Sequence, residues 1–155
     1  IVSSQGILGL TIPIKGGRNQ HIPLQEIEIA YDTPWQAQHV KSIDTNYKRA
    51  PFYEYYRDSL KEIISIKDPY LLPFLMQVHD WTKKQLKGTW EITTSIQNCH
   101  ELNLLEDYKP NNYLNHTQPI QYTQVYQDLI GFHPNVCILD LLFCVGGKTA
   151  KNLIT

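Results

Sequence analysis

One carboxylate constrains this chain more than any other residue. Asp140 stands inside the run Ile138-Leu139-Asp140-Leu141-Leu142-Phe143. Burying a carboxylate is costly unless it is paired or hydrogen-bonded. A fold that buries this run must therefore bring polar partners to Asp140, or turn it to solvent on the polar side of a helix. The spacing predicts a helix over 136–145, capped by Asn135 and ended by Gly146-Gly147. A last turn over 148–154 completes the chain.

The start of the chain has a different period. In 7–14, Leu8, Leu10, Ile12 and Ile14 alternate with Thr11 and Pro13. That is a strand with one buried face, and Pro13 puts its end at a sheet edge. Residues 15–19 (Lys-Gly-Gly-Arg-Asn) read as a turn, and 24–31 as a second strand with Ile27, Ile29 and Tyr31 inward. Together they predict a β-hairpin with one wet face.

Helical spacing then takes over. Thr33 suits an N-cap and Pro34 a first helical position. Trp35, His39, Ile43 and Tyr47 recur every four residues and make one stripe, which Pro51 ends. A second helix over 52–66 has Tyr53, Tyr56, Leu60, Ile63 and Ile64 inward. Asp68-Pro69 starts a third, with Pro73 in or near its first turn and Gly88 as its stop. Beyond it, 90–94 read as a short strand, 95–104 as a short helix or turn, and 109–112 as a loop. Residues 121–130 read as helix or strand, closed by Gly131. Strands early and helices later argue for an α+β fold: an N-terminal β-hairpin with a mainly helical region packed on it, in a single domain over 1–155.

Composition removes several classes. The chain has 155 residues, 42% hydrophobic and 19% charged, which is too apolar and too weakly charged for disorder. Its 14 basic and 15 acidic groups leave a net charge of -1, without the basic surplus of a nucleic-acid binder. No apolar run is long enough to span a membrane. Residue 1 is Ile, so the chain reads as processed or as part of something longer, with no signal-peptide pattern at its start. Three cysteines without CxxC spacing point to a reducing, cytoplasmic setting. The 10 tyrosines suit either a core rim or a surface that contacts partners or sugars.

Motifs narrow the chemistry. Gly146-Gly147-Lys148-Thr149 invites a phosphate-loop reading, but the loop needs a glycine where Leu142 stands. His39 and Asp44 form an HxxxxD string, yet residues five apart on a helix lie about 140° from each other. His39 itself shares the inward stripe and needs a hydrogen-bond partner. It reads either as a satisfied core histidine or as a general base at a cleft. Cys99-His100, Cys137 and Cys144 allow a thiol nucleophile, although free cysteine is usually a small buried hydrophobe. No His, Cys, Asp or Glu set has metal-ligand spacing, so the sequence asks for no metal and no cofactor.

Two blocks carry a resemblance. Trp35-Gln36-Ala37-Gln38-His39 with Tyr47-Lys48-Arg49-Ala50-Pro51-Phe52-Tyr53 is the first. Tyr122-Thr123-Gln124-Val125-Tyr126, then Gly131-Phe132 and the run from Pro134 to Phe143 with Gly146, is the second. With the Leu10-Thr11-Ile12-Pro13-Ile14 strand, these resemble the WbqC-like protein family. The chain departs from its pattern at Cys137 (usually Ser), Cys144 (usually Asn) and Gly147 (usually Pro). The family pattern also carries a segment ahead of the hairpin, so the resemblance implies an N-terminally incomplete domain. It implies a bacterial cytoplasmic protein of surface-polysaccharide (O-antigen) biosynthesis. The implied activity is transfer of an acyl or aminoacyl group onto a nucleotide-linked amino sugar. On the matched positions His39 would be the base, Tyr47 would hold the sugar or the oxyanion, and Asp140 would orient the imidazole. The competing reading is a non-catalytic module that binds a saccharide or a protein through exposed rings such as Trp35, Tyr53, Tyr55 and Tyr56.

Overall fold

The computed structural model describes residues 1–17, 20–90 and 119–154. The expectations for 90–94 (beyond Trp90), 95–104, 109–112, Cys99-His100 and the Arg18-Asn19 part of the turn lie outside them. The elements, in order, are β1 (Val2–Ser3), β2 (Gly6–Ile7), a single 3-10 turn (Leu24–Glu26), α1 (Trp35–Tyr47), α2 (Tyr53–Ser65), α3 (Leu71–Gln85), α4 (Gln127–Ile130) and α5 (Ile138–Ile154). The α+β architecture holds: an antiparallel β1–β2 hairpin precedes a mainly helical region.

The hairpin does not sit where alternation puts it. β1 and β2 pair Val2 with Ile7 and Ser3 with Gly6. The two longer apolar stretches meet at one bridge, Ile14 opposite Ile29, through Lys15 N–H to Glu28 O and Ala30 N–H to Pro13 O, both 2.9 Å. Ile29 N–H turns the other way and donates to Pro69 O at 2.9 Å, and Leu71 N–H donates to Ile27 O at 2.8 Å. Residues 27–30 are thus shared between two neighbours. Pro13 and Pro69 each lack an N–H, so neither side can extend into a ladder. The alternation matches burial only in part: Ile29 is buried, whereas Leu8 is exposed and Ile12, Pro13 and Ile14 are all half-buried.

Three helices follow the expected punctuation. α1 begins at Trp35, with Pro34 rather than Thr33 as its N-cap and no side-chain cap. α2 follows Pro51 and exposes its charges while burying Tyr53, Tyr56, Leu60 and Ile64. Pro73 lies in the first turn of α3, where its missing N–H costs nothing. Asp68 prepares that turn by accepting Tyr70 N–H at 3.0 Å. At the other end the left-handed residue is Lys87 (φ 50°), not Gly88. Gly88 N–H donates to Lys83 O at 2.9 Å and Lys87 N–H to Lys84 O at 3.2 Å, a Schellman closure.

The C-terminal helix also departs from its expectation. Asn135 has a left-handed φ of 54°, so it makes a turn and α5 starts only at Ile138. Gly146 (φ 75°, ψ 158°) then breaks α5, and the helix resumes after it. The break has a use. In a regular helix Gly147 N–H would donate to Phe143 O. Instead Gly147 N–H donates to Tyr56 Oη at 2.7 Å, and Phe143 O accepts Phe52 N–H at 2.9 Å. One lost helical bond becomes two ties to α2.

α1 packs on α2, and α2 on α3 and α5. Phe143 is fully buried, with the rings of Tyr47, Tyr53 and Tyr56 at 5.0, 5.1 and 6.2 Å. Leu60, Trp81, Leu86 and Leu142 complete this core, and Ile29, Trp35 and Phe74 form a smaller second cluster. No helix among the described residues is long and apolar enough to cross a membrane.

The break makes one position intolerant. A Cβ on Gly147 would lie 2.2 Å from Gln85 O and 3.1 Å from Tyr56 Oη. Gly147→Ala is expected to cost at least about 1–3 kcal/mol, the usual range for overpacking. Urea unfolding checks it, and an unchanged midpoint would refute the tight approach of α5 to the end of α3.

Candidate functional site

Asp140 does not reach solvent. It is fully buried, and three donors converge on it. Tyr47 Oη donates to Oδ1 at 2.5 Å; Tyr122 Oη and Gln124 Nε2 donate to Oδ2 at 2.6 and 3.1 Å. The Tyr47 hydroxyl also accepts Val2 N–H at 3.0 Å. Gln124 is held by its own partners: it accepts His133 N–H at 2.9 Å and donates to His133 O at 2.9 Å. An acceptor-only carboxylate surrounded by donors is how a buried carboxylate is made tolerable. Burial raises the Tyr47 and Tyr122 pKa values well above the usual 10.0, and the Asp140 carboxylate adds to this. Burial, with Asp140 nearby, also pushes the Cys144 thiol up to about 12.

His39 lies elsewhere. It is two helical turns before Tyr47, about 12 Å along the axis. With Trp35 it lines an apolar cleft of about 520 Å³ walled by Leu8, Ile12, Ile63, Phe74, Val78 and Ile138, among others. Neither Tyr47 nor Asp140 lines this cleft. The same two residues also line a shallower hollow of about 410 Å³, bordered by Thr11, Thr33, Gln38 and Ser42. The imidazole therefore borders two adjoining hollows, the second lined by Leu8, Leu10 and Pro13 as well as by hydroxyl and amide groups. Its ring meets Trp35 edge-on, with centroids 5.1 Å apart. Burial lowers the His39 pKa from 6.5, opposed by the Thr11 backbone, so the ring is neutral at pH 7.

Of the three site residues expected from the sequence, Tyr47 and Asp140 come together in the interior and His39 sits apart. Asp44, the other end of the HxxxxD string, turns to Tyr53 Oη and Arg57 Nε at 2.6 and 3.0 Å. The Tyr53 hydroxyl, with the Arg57 guanidinium second, holds the Asp44 carboxyl below its ordinary value. Tyr122 and Gln124 carried no assigned role in the sequence. Their i, i+2 spacing was the available signal, since extended backbone puts such residues on one side. Trp35 carries a further feature: its indole Nε1–H is buried and has no acceptor among the described residues. The ring surface expected of a binding module is mostly internal. Trp35, Tyr53 and Tyr56 are 3%, 2% and 3% exposed, and only Tyr55 of that set is open, at 79%. A third hollow, of about 730 Å³, is lined by Lys41, Lys61 and Lys67 together with Asp32 and Asp44, a mixed and solvated set.

Fold and site together define a small α+β domain, pinned by a buried carboxylate and bearing a neutral imidazole between two hollows. The model of the WbqC-like protein family matches residues 1–109, so the chain belongs to that family. Neither a curated protein nor a solved structure matches it. The matched span holds His39, Tyr47 and the α1–α3 walls of the cleft, while Asp140 and its partners Tyr122 and Gln124 lie beyond it.

Tyr47→Phe leaves Asp140 Oδ1 and Val2 N–H short of a partner. It is expected to destabilise the fold by about 1.5–3 kcal/mol, the range for a hydrogen bond to a charged group. Urea unfolding measures this. A second outcome concerns pH. The folded-state pKa values of Tyr47 and Tyr122 lie above the unfolded 10.0, so their contribution is complete below pH 10 and lost as pH rises beyond it. Tyrosinate absorbance from these two rings should appear together with unfolding; its appearance in the folded protein near pH 10 would contradict their burial.

Proposed function

We propose that this chain is a transferase that places an acyl or aminoacyl group on the amine of a nucleotide-linked amino sugar, with His39 as general base. The observation that carries the reading is the position of His39 between the two hollows. The shallower hollow has Thr11, Thr33, Gln38 and Ser42 in its mixed lining, and these offer hydroxyl and amide groups to a sugar. The apolar cleft offers room for the group being transferred. As the amine attacks the carbonyl of a thioester donor, the C–N bond forms, the C–S bond breaks and the thiolate leaves; the amine must lose a proton, which a neutral imidazole at the junction can take and pass to the thiolate. The lowered pKa of His39 keeps it unprotonated at pH 7, and the edge of Trp35 fixes its ring. Family membership adds support, since the implied setting is polysaccharide biosynthesis.

In this reading Tyr47 and Asp140 are positioning residues. Their hydrogen bond ties α1 to the first turn of α5, whose Ile138 and Leu139 form a wall of the cleft facing α1. They act on the reaction through that wall rather than by touching substrate.

The test is a mass-shift assay on a panel of amino-sugar nucleotides with acyl and aminoacyl thioester donors. Replacing His39 with Ala should lower the rate by roughly 10²–10⁴-fold, the usual contribution of a general base. The wild-type rate should rise with pH up to a value below 6.5 and then stay flat, because only the neutral imidazole works. Undiminished turnover in the His39→Ala protein would remove the base assignment.

A further inference from the structure

We propose that one end of this domain, where α1 ends, α2 begins and α3 ends, rests on an anionic phospholipid surface. Short connections at 48–52 and 66–70 reverse the chain between α1, α2 and α3, so these three helix ends lie together. α5 joins them at its break. Phe52 N–H donates to Phe143 O at 2.9 Å, Gly147 N–H to Tyr56 Oη at 2.7 Å, and Lys151 Nζ to Lys87 O at 3.0 Å. The stretches that meet are therefore 48–56, 82–88 and 145–152. The first carries Lys48 and Arg49, the second Lys83, Lys84 and Lys87, and the third Lys148 and Lys151, which is seven of the chain's 14 basic residues. Against them stands one acid, Glu54, and it lies 3.8 Å from Arg57. The chain as a whole has a net charge of -1, so its positive charge is segregated to this end.

Helix dipoles explain only part of the cluster. Cations are favourable near helix C-termini, and Lys83, Lys84 and Lys151 stand in the last turns of α3 and α5. That does not account for Lys148, in the middle of α5, or for two rings left open among the charges. Phe52 is 43% exposed and Tyr55 79%. Lys48, Arg49, Lys84, Lys87 and Lys148 are all exposed, and none of them lines the three hollows described above. They form a spread surface rather than a pocket for one small anion. Clusters of roughly four to eight Lys and Arg draw proteins to anionic headgroups. Rings with an apolar body, such as Phe52 and Tyr55, suit the layer between headgroups and hydrocarbon. A nucleic acid fits less well, because the chain lacks the overall basic surplus of such binders. The proposal stands apart from the transferase reading, since it uses none of the residues around His39.

The experiment is co-sedimentation of the full chain with vesicles of phosphatidylcholine alone, and of phosphatidylcholine with about one third phosphatidylglycerol. The wild-type chain should bind the second and not the first, and raising the salt from about 0.05 to 0.5 M should release it. Lys48→Gln with Lys148→Gln should weaken binding by roughly 25-fold, about fivefold for each charge held near the surface. Lys61→Gln with Lys67→Gln removes the same charge from the later part of α2 and just beyond it, and should change binding far less. Tyr55→Ser should weaken binding while keeping its salt dependence. These substitutions replace exposed side chains, so the fold is kept.

No binding to the phosphatidylglycerol vesicles, equal binding to phosphatidylcholine alone, or equal losses in the two lysine pairs would each overturn the proposal. Tighter binding to a single-stranded RNA oligonucleotide than to the vesicles would also overturn it, in favour of a nucleic-acid partner. Unchanged vesicle affinity in Tyr55→Ser would remove that ring from the contact and leave it purely electrostatic.

Discussion

The hydrogen bond from Tyr47 to Asp140 holds the other parts of the structure in register. A carboxylate at the start of an apolar helix cannot be buried alone. Its three donors come from α1 and from the segment carrying Tyr122 and Gln124, and Tyr47 in turn takes Val2 N–H from β1. Four distant stretches of chain are therefore placed by one side chain. The cluster's value lies more in specificity than in net stability. An apolar replacement of a whole buried polar set is often neutral, whereas removal of one member leaves the rest unpaired. The pin defines how α5 sits on α1, and that placement sets one wall of the cleft.

Helices α1, α2 and α3 were legible because local chemistry and tertiary structure agree there. Pro51, the Asp68-Pro69 pair and the Lys87-Gly88 corner separate three helices, and the apolar stripes of α1 and α2 face the core. Where the two disagree, sequence reading shifts. The alternation in 7–14 and 24–31 marks Ile29 as inward but not a buried face along 7–14, and the prolines deny it a ladder and leave single bridges. Asn135 looked like a cap and is a left-handed turn residue. Gly146-Gly147 looked like an end and is a break inside a longer helix, because the partners that reward it, Tyr56 and Phe52, lie some 90 residues earlier in the chain.

The candidate site was half legible for the same reason. A polar residue inside an apolar pattern marks itself, and both Asp140 and His39 did so. What such a residue bonds to is decided in space. Asp140 found Tyr47, which shared the α1 stripe, and also Tyr122 and Gln124, whose convergence depends on how residues 119–137 cross α5. His39 found no carboxylate; it found the Thr11 backbone, Trp35 and two hollows. Eight residues of helix separate it from Tyr47, and a shared stripe does not mean a shared site. The outcome separates a polar set that fixes the fold from a half-buried imidazole that borders two hollows.

The break at Gly146 also has a kinetic consequence. The bond from Gly147 to Tyr56 spans 91 residues and that from Tyr47 to Asp140 spans 93. Contacts of this separation reward the chain only after a long loop has closed. The receiving surface for Gly147, made by Tyr56 and the last carbonyl of α3, exists only once α2 and α3 have docked. Topology therefore favours an order in which the early helices assemble first and the C-terminal helix locks them last.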